Sequence, residues 1–499
     1  MRRIRGSKLA DLYTRILAHS PTRILAYSPL ATAVPLLIGY LFFAYTFPLL
    51  PHFDAAPTVD GRFFEPSFWG GVKYVLILCW LFGFYALAQR QVRRLAVPPK
   101  LWQLAMATAV FALPLLFTYP LNANDIYRYF IRGRISTVYG ENAFTHSPAD
   151  FPDDPYLPYA GEWAAETTPY GAVWEMAAWG ITAVFPHNLL HALLSFKAFA
   201  LLLHITIGWL IARSRTTKSP ALAFLLWAWN PALLLIFVVN GHNDALMLFW
   251  LLLGYAVMQR GKPTAGFVIM LLAPLTKIIG LLPLPFFFIS ILLGLENGRL
   301  RLRFLLLSGL AGAGLLFAAF LPFGSPLDLL WRLLREASDG AGFSPMTLFI
   351  LLARAAGWPL SLTVLSKVGL LALALAALVL LRRGINGRSP LRGAADVLGA
   401  YLAQALNFRL WYAAWPFPFL ILGMDEGKNG RLRLAIGLWF LFTTQLSVFI
   451  YGHLRVYLLG GDQLWAHLIG VTFTFGLPLM ATYMQNRKET VNNQLETIN

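Results

Sequence analysis

The sequence predicts an all-α polytopic integral membrane protein, and three observations carry that expectation. Of 499 residues, 58% are hydrophobic and 13% charged, with a mean hydropathy of +0.61, a balance that excludes a soluble multidomain chain. Apolar runs that reach the ~20 residues a membrane helix needs recur from about Leu30 to Thr482 with short polar breaks. The basic residues behind the net charge of +17 punctuate these runs and form no soluble patch. No nucleic-acid partner is therefore expected, and the basic surplus faces anionic membrane lipid. The single cysteine, Cys79, sits within an apolar run and offers no disulfide framework.

The arm 1–29 is basic and carries a tandem octapeptide, TRILAHSP then TRILAYSP, which suits an interfacial amphipathic segment and equally a local duplication without function. The run from Leu30 to Leu50 exceeds a signal-peptide core and lacks a small-residue cleavage site, so it reads as a retained first helix. Placing the basic clusters on one side gathers 27 of the 40 Lys and Arg residues there, and the positive-inside rule makes that side the cytoplasm. Spans at 30–50, 70–89 and 101–119 follow. The segment 120–188 is then external, because only one crossing, 189–212, fits before the basic loop 213–218. Its apolar piece 172–185 must lie in the interface or re-enter. Spans are next expected at 220–239, 243–259, 263–280, 282–296 and 304–323, then a second external loop, 324–358, with its own interfacial piece at 346–357. The last spans, at 360–381, 394–407, 411–424, 434–451 and 465–483, complete a bundle of about 12–14 helices in one unit, 30–483, with a cytoplasmic tail at 484–499. Several are short, as helices broken around a cavity are. The expected address is the plasma (inner) membrane, with both termini in the cytoplasm.

The first external loop is too long for a connector, and rigidly held loops are where sites concentrate. In 122-NANDIYRYFIRGR-134, Asn122 is expected to cap a surface helix with Asp125 at its third position, facing the free backbone amides. Asp125, Tyr129 and Arg132 then share one face. The carboxylate is a general base or merely a cap; capping keeps it ionised, so the two roles are compatible. Asp153 and Asp154 offer two metal ligands with no third at a recognisable spacing, so a divalent metal is unsupported and no cofactor is predicted. Lys277 lies inside the apolar run 273-APLTKIIGLLPLP-285, where an ionisable group is costly and functional by default, or else snorkels to the interface. The turn 240-NGHND-244 between two spans brings His242 and Asp244, read as sugar-orienting groups or as a capped polar turn. In 407-NFRLWYAAWPFP-418, Arg409 and Tyr412 sit among tryptophans that suit an aromatic belt. His453 and Arg455 are weaker external cations.

The order Asp125-x-Tyr127-x-Tyr129, then Gly140-x-Asn142-x-Phe144, then Thr168-Pro-Tyr170-Gly-x-x-Trp174 resembles the first large external loop of the GT-C glycosyltransferases. The closest likeness is to mannosyltransferases that use polyprenyl-phosphate mannose. It extends to 229-WNPALLLIFVVNGHNDALM-247, to Lys277 and to 407–418, hence over about residues 120–420. Ala143 and Ala172 stand where those families usually have Pro, and Asn124–Asp125 where many GT-C loops carry two acids, which leaves sugar and acceptor open. The resemblance implies a GT-C-like bundle and an inverting transfer, most simply of mannose, from a polyprenyl-phosphate donor to a glycan or glycolipid acceptor on the external face. Asp125 is then the base, and Arg128, Arg132, Lys277 and Arg409 are phosphate-binding cations. Tyr127, Tyr170, His242, Asp244 and Tyr412 complete the expected substrate contacts. Two other functions stay open at this point. A transporter or flippase of lipid-linked glycans would need an amphiphilic midplane path, and a polymerase or ligase using lipid-diphosphate donors would lean on Arg and His.

Overall fold

A computed structural model describes residues 29–55, 64–336, 342–358 and 360–498; the basic arm with its tandem octapeptide lies outside them. The described residues contain no strand, and one antiparallel bridge, Pro48 to Thr118, ties the ends of the first and third helices. Helices α1 (Pro29–Thr46), α2 (Phe68–Arg94) and α3 (Leu101–Leu116) lead to α4 (Asp125–Val138) and α5 (Ala172–Val184) in the long loop. Next come α6 (Leu189–Ala212), α7 (Pro220–Ala228), α8 (Pro231–Val239) and α9 (Asp244–Gln259). They are followed by α10 (Pro263–Met270), α11 (Leu284–Gly294), α12 (Gly298–Phe320), α13 (Pro326–Glu336) and α14 (Pro345–Ala355). Last are α15 (Leu362–Ile385), α16 (Pro390–Gln404), α17 (Phe417–Leu422), α18 (Gly427–Tyr457) and α19 (Gln463–Arg487), whose helical path continues through the expected tail to Ile498.

Every expected span is matched by a helix or a broken pair, and the apolar pieces at 172–185 and 346–357 form the short helices α5 and α14. Among the described residues six helices are long and apolar enough to cross a bilayer unaided: α2, α6, α12, α15, α18 and α19. The α7–α8 pair makes a seventh only if its 50° bend is one broken span. Sequence explains that bend: Pro231 cannot donate a backbone hydrogen bond, and Asn230 restarts the helix by accepting from the Ala232 amide at 3.0 Å. Residues 221–239 are buried throughout, the fate of helices apolar all round. By contrast, only 17% of the apolar window of α12 and of α15 is buried, and Leu310, Phe317, Leu371 and Leu378 point outward. An exposed apolar face of that extent needs an apolar solvent, which agrees with a multi-pass membrane protein.

The long loop folds back onto the bundle. Gly133 of α4 meets α5 so closely that a Cβ there would lie 2.3 Å from Thr182 Oγ1. Gly171 and Val173 donate to the Thr276 and Leu275 carbonyls at 3.0 and 2.9 Å, which clips the Thr-Pro-Tyr-Gly segment to the break between α10 and α11. Two expectations are corrected here. The helix begins at Asp125 with Asn124 as its cap residue, while Asn122 donates to Tyr74 Oη at 3.3 Å. Nor does α4 lie on the surface: most of its residues, Arg132 and Arg134 included, are buried under α5 and the 157–163 turn.

Candidate active site

Four separated segments meet at the loop end of the bundle: the start of α4, the turn between α8 and α9, the α10–α11 break, and the 409–415 stretch. Gly241 makes the turn possible, with φ +65° and no room for a Cβ, which would come within 2.6 Å of Ile126 Cδ1. That contact locks the turn against α4 and sets Asp125 beside His242, with Oδ2 3.6 Å from Nδ1. The same Nδ1 stands 3.9 Å from Asp244 Oδ2. The imidazole stacks on Trp411 at 4.3 Å between centroids.

Asp125 keeps 9% side-chain exposure, and its Oδ1 accepts from Arg128 at 3.0 Å. No hydrogen bond from a described residue reaches Oδ2. Burial raises this carboxyl, but the cations Arg128, Lys277 and Arg409 lower it and prevail: it titrates below the usual carboxylate range. Burial drives His242 the other way, down to about 4 despite its two acidic neighbours. His242 is therefore neutral near pH 7, its approaches to both acids are dipolar, and the cations hold Asp125 ionised.

Asp244 is fully buried. Its Oδ1 accepts from Lys277 Nζ at 2.8 Å and from Trp415 Nε1 at 2.5 Å. Lys277 does not snorkel away: its Nζ lies 5.8, 5.5 and 5.4 Å from the ring centroids of Tyr170, Tyr412 and Trp415, a cage of π-faces around a paired ammonium. Tyr412 stacks on Trp415 at 4.0 Å. Half-buried Arg409 lies near enough to lower Asp125 and makes no ion pair with a described residue.

Thus Asp125, Arg128, Tyr170, His242, Asp244, Lys277, Arg409 and Tyr412 gather at one place. Arg132 stands at its edge, 5.9 Å from the Tyr170 ring centroid and donating to the Thr167 carbonyl at 3.4 Å. Tyr127 turns away: it stacks on Tyr159 at 5.6 Å and donates to the Phe53 carbonyl at 3.2 Å. His453 and Arg455 stand apart, the former against the Ser67 carbonyl and the latter on its own helix. Asp154 is drawn into an ion pair with buried Arg134 at 2.9 Å, while Asp153 is exposed. Among the described residues no group of three or more His, Cys, Asp or Glu side chains is arranged so that it could hold a metal ion.

Supports that sequence reading missed are tertiary pairs. Thr168 Oγ1 donates to Glu175 Oε1 at 2.5 Å and holds the Tyr170 turn, and Arg332 of α13 binds Glu166 at 2.6 Å. Trp163 lies against Arg128, 5.1 Å from centroid to guanidinium. A cavity of about 380 Å³ opens beside the site, walled by Gly171, Leu275, Ile278, Leu316, Phe320 and Leu329. It is apolar, and two of its walls adjoin Tyr170 and Lys277 in the chain.

Residues 56–293 match the family model described as "Alpha-(1->6)-mannopyranosyltransferase, N-terminal domain". The chain is 26% identical over 176 residues to alpha-(1->6)-mannopyranosyltransferase A of Corynebacterium glutamicum, covering 35% of this chain and 36% of that protein. It is 30% identical over 155 residues to alpha-(1->6)-mannopyranosyltransferase B of the same organism, covering 30% and 25%. Against alpha-(1->6)-mannopyranosyltransferase A of Mycobacterium tuberculosis, identity is 26% over 223 residues, covering 44% and 41%. The aligned stretches thus span less than half of these relatives. No solved structure matches. The resemblance to GT-C mannosyltransferases therefore holds, and the matched region runs from before Asp125 to beyond Lys277, with Arg409 and Tyr412 outside it.

Proposed function

We propose that this chain is a membrane mannosyltransferase that moves mannose from a polyprenyl-phosphate donor to a hydroxyl of a glycan or glycolipid on the external face, forming an α-(1→6) linkage. The observation that carries the reading is the pairing of an ionised, reachable carboxylate with cations and an apolar cavity. Asp125 supplies the carboxylate, Arg128, Lys277 and Arg409 the positive charge, and the 380 Å³ cavity an apolar bed for a prenyl tail. In the reaction, Asp125 Oδ2 takes the acceptor proton as the hydroxyl oxygen bonds to the anomeric carbon. The bond from that carbon to the phosphate oxygen breaks, and polyprenyl phosphate leaves with the electron pair. Arg128 and Arg409 answer the phosphate charge, which a good leaving group of this kind requires in place of a proton. In-line attack inverts the anomeric configuration.

His242 and Asn243 support the sugar site: both His242 ring nitrogens and both ends of the Asn243 amide are buried without a protein hydrogen-bond partner. Such groups are normally satisfied, and a polyhydroxyl ligand satisfies them. Membranes containing the chain, incubated with labelled polyprenyl-phosphate mannose, should label an endogenous acceptor. Asp125→Asn should abolish labelling while donor still binds; undiminished labelling in that variant refutes the base assignment.

A further inference from the structure

A second cavity, larger than the one beside the site, has no part in this chemistry. It measures about 680 Å³ and lies at the opposite end of the bundle, between the C-terminal half of α2 and the N-terminal half of α18. The two helices meet at Phe82 and Phe442, whose ring centroids are 4.8 Å apart, and the charged end of the cleft, its mouth, is lined by Arg90, Arg93, Lys428 and Arg431. From Cys79 to Arg93, and from Lys428 to Phe442, each wall runs about 21 Å at 1.5 Å per residue. That length matches one leaflet, half of a ~30 Å hydrocarbon core, together with its headgroup layer.

Charge at the mouth is unbalanced in a way its surroundings are not. Nearby Arg388 and Arg433 both pair with Asp396, and Arg392 pairs with Glu426. Arg90, Arg93, Lys428 and Arg431 form no ion pair with a described residue. Asp425, the acid at the mouth, accepts from the Lys218 backbone amide at 2.9 Å. Lys428 and Arg431 also occupy the start of α18, where the helix dipole disfavours cations, so their placement there costs stability unless an anion joins them. Below the mouth the walls turn apolar, through Gly83, Ala86, Leu438 and Trp439 to Phe82 and Phe442.

We infer that this cleft is a binding site for one anionic phospholipid, its phosphate held by Arg90, Arg93, Lys428 and Arg431 and an acyl chain laid between α2 and α18. Native mass spectrometry of the full chain in mild detergent tests it, with phosphatidylglycerol, phosphatidylcholine of the same chains, and inorganic phosphate as probes. One phosphatidylglycerol should be retained at least tenfold more tightly than phosphatidylcholine, a gap of 1.4 kcal/mol, and should raise Tm. The variant R90Q/R93Q/K428Q/R431Q should lose that preference, whereas R260Q/K262Q/R299Q/R303Q, which neutralises four cations outside the cleft, should keep it. Equal loss in both variants reduces the effect to diffuse surface attraction and overturns the site. Equal retention of phosphatidylcholine overturns it too, and displacement by inorganic phosphate assigns the cations to a soluble anion. Gly83→Leu gives an independent arm that does not touch charge: a Cβ there meets nothing within 4 Å, so the side chain should fill the trough and expel lipid without lowering the lipid-free Tm. Undiminished retention in Gly83→Leu removes the acyl-chain assignment.

Discussion

Asparagine followed by aspartate opens a helix twice at the loop end of this bundle, as Asn124–Asp125 on α4 and as Asn243–Asp244 on α9. Locally the two are equivalent: each acid is the first helical residue, and neither asparagine side chain makes a capping hydrogen bond. Their surroundings separate them. Each spends one oxygen, Asp244 on Lys277 and Trp415 and Asp125 on Arg128, and each leaves the other without a hydrogen bond from a described residue; but Asp244 is fully buried, while Asp125 keeps some exposure. The same two-residue signal thus yields a fully buried, paired carboxylate in one place and a reachable one in the other.

The sharpest break of that comparison comes from charge removal. Asp125→Asn should lower mannosyl transfer by about 10²–10⁴-fold, the range of a lost general base, with only a small fall of Tm in detergent, because Arg128, 12% exposed, keeps Glu162 at 3.7 Å and the Trp163 ring. The matched substitution Asp244→Asn should cost stability as well as activity. It strands a Lys277 that retains 15% side-chain exposure, so a loss of about 3 kcal/mol in stability is expected, read as lowered Tm and yield. Adding Lys277→Met should recover much of the stability without recovering activity; a double variant no more stable than Asp244→Asn would disprove the anchoring role. Next in size is Gly171→Ala, whose added Cβ would sit 2.0 Å from the Leu275 carbonyl oxygen. Relief requires backbone movement at a cost of about 1–3 kcal/mol, and it should pull Tyr170 off Lys277 and weaken donor binding more than folding.

The smallest expected effect is in pH. His242 titrates at about 4 when folded, below the ~6.5 of an unperturbed imidazole. The unfolded chain therefore binds the extra proton between these values. Stability from this group is complete above about pH 6.5 and is lost as pH falls towards 4. His242→Gln should flatten the Tm profile across that window. Asp125, held low, should stay deprotonated throughout it, so transfer should fall only at lower pH.

Much of this was legible beforehand for one physical reason: burying a charge or a polar turn in an apolar chain is expensive, so Lys277 inside 273–285 and the Asn-Gly-His-Asn-Asp turn announced themselves. Span positions were legible likewise, since apolar length is a one-dimensional property. Tyr127 misled because its spacing within α4 gives no sign that the 53–54 stretch and Tyr159 would claim it. Asn122 misled because a capping residue two positions nearer the helix fits the same pattern. Trp415 read as a belt anchor, and its indole proton on Asp244 is a contact across 171 residues.

The sequence by itself determined the solvent of this protein, the approximate places of its helices and the short list of costly polar groups, because hydropathy and the expense of burying charge act residue by residue. Tertiary structure alone decided which of two like aspartates stays reachable, which cations remain unpaired, and where helices part to leave a cavity. Those outcomes depend on distances between segments far apart in the chain, and no local pattern encodes them.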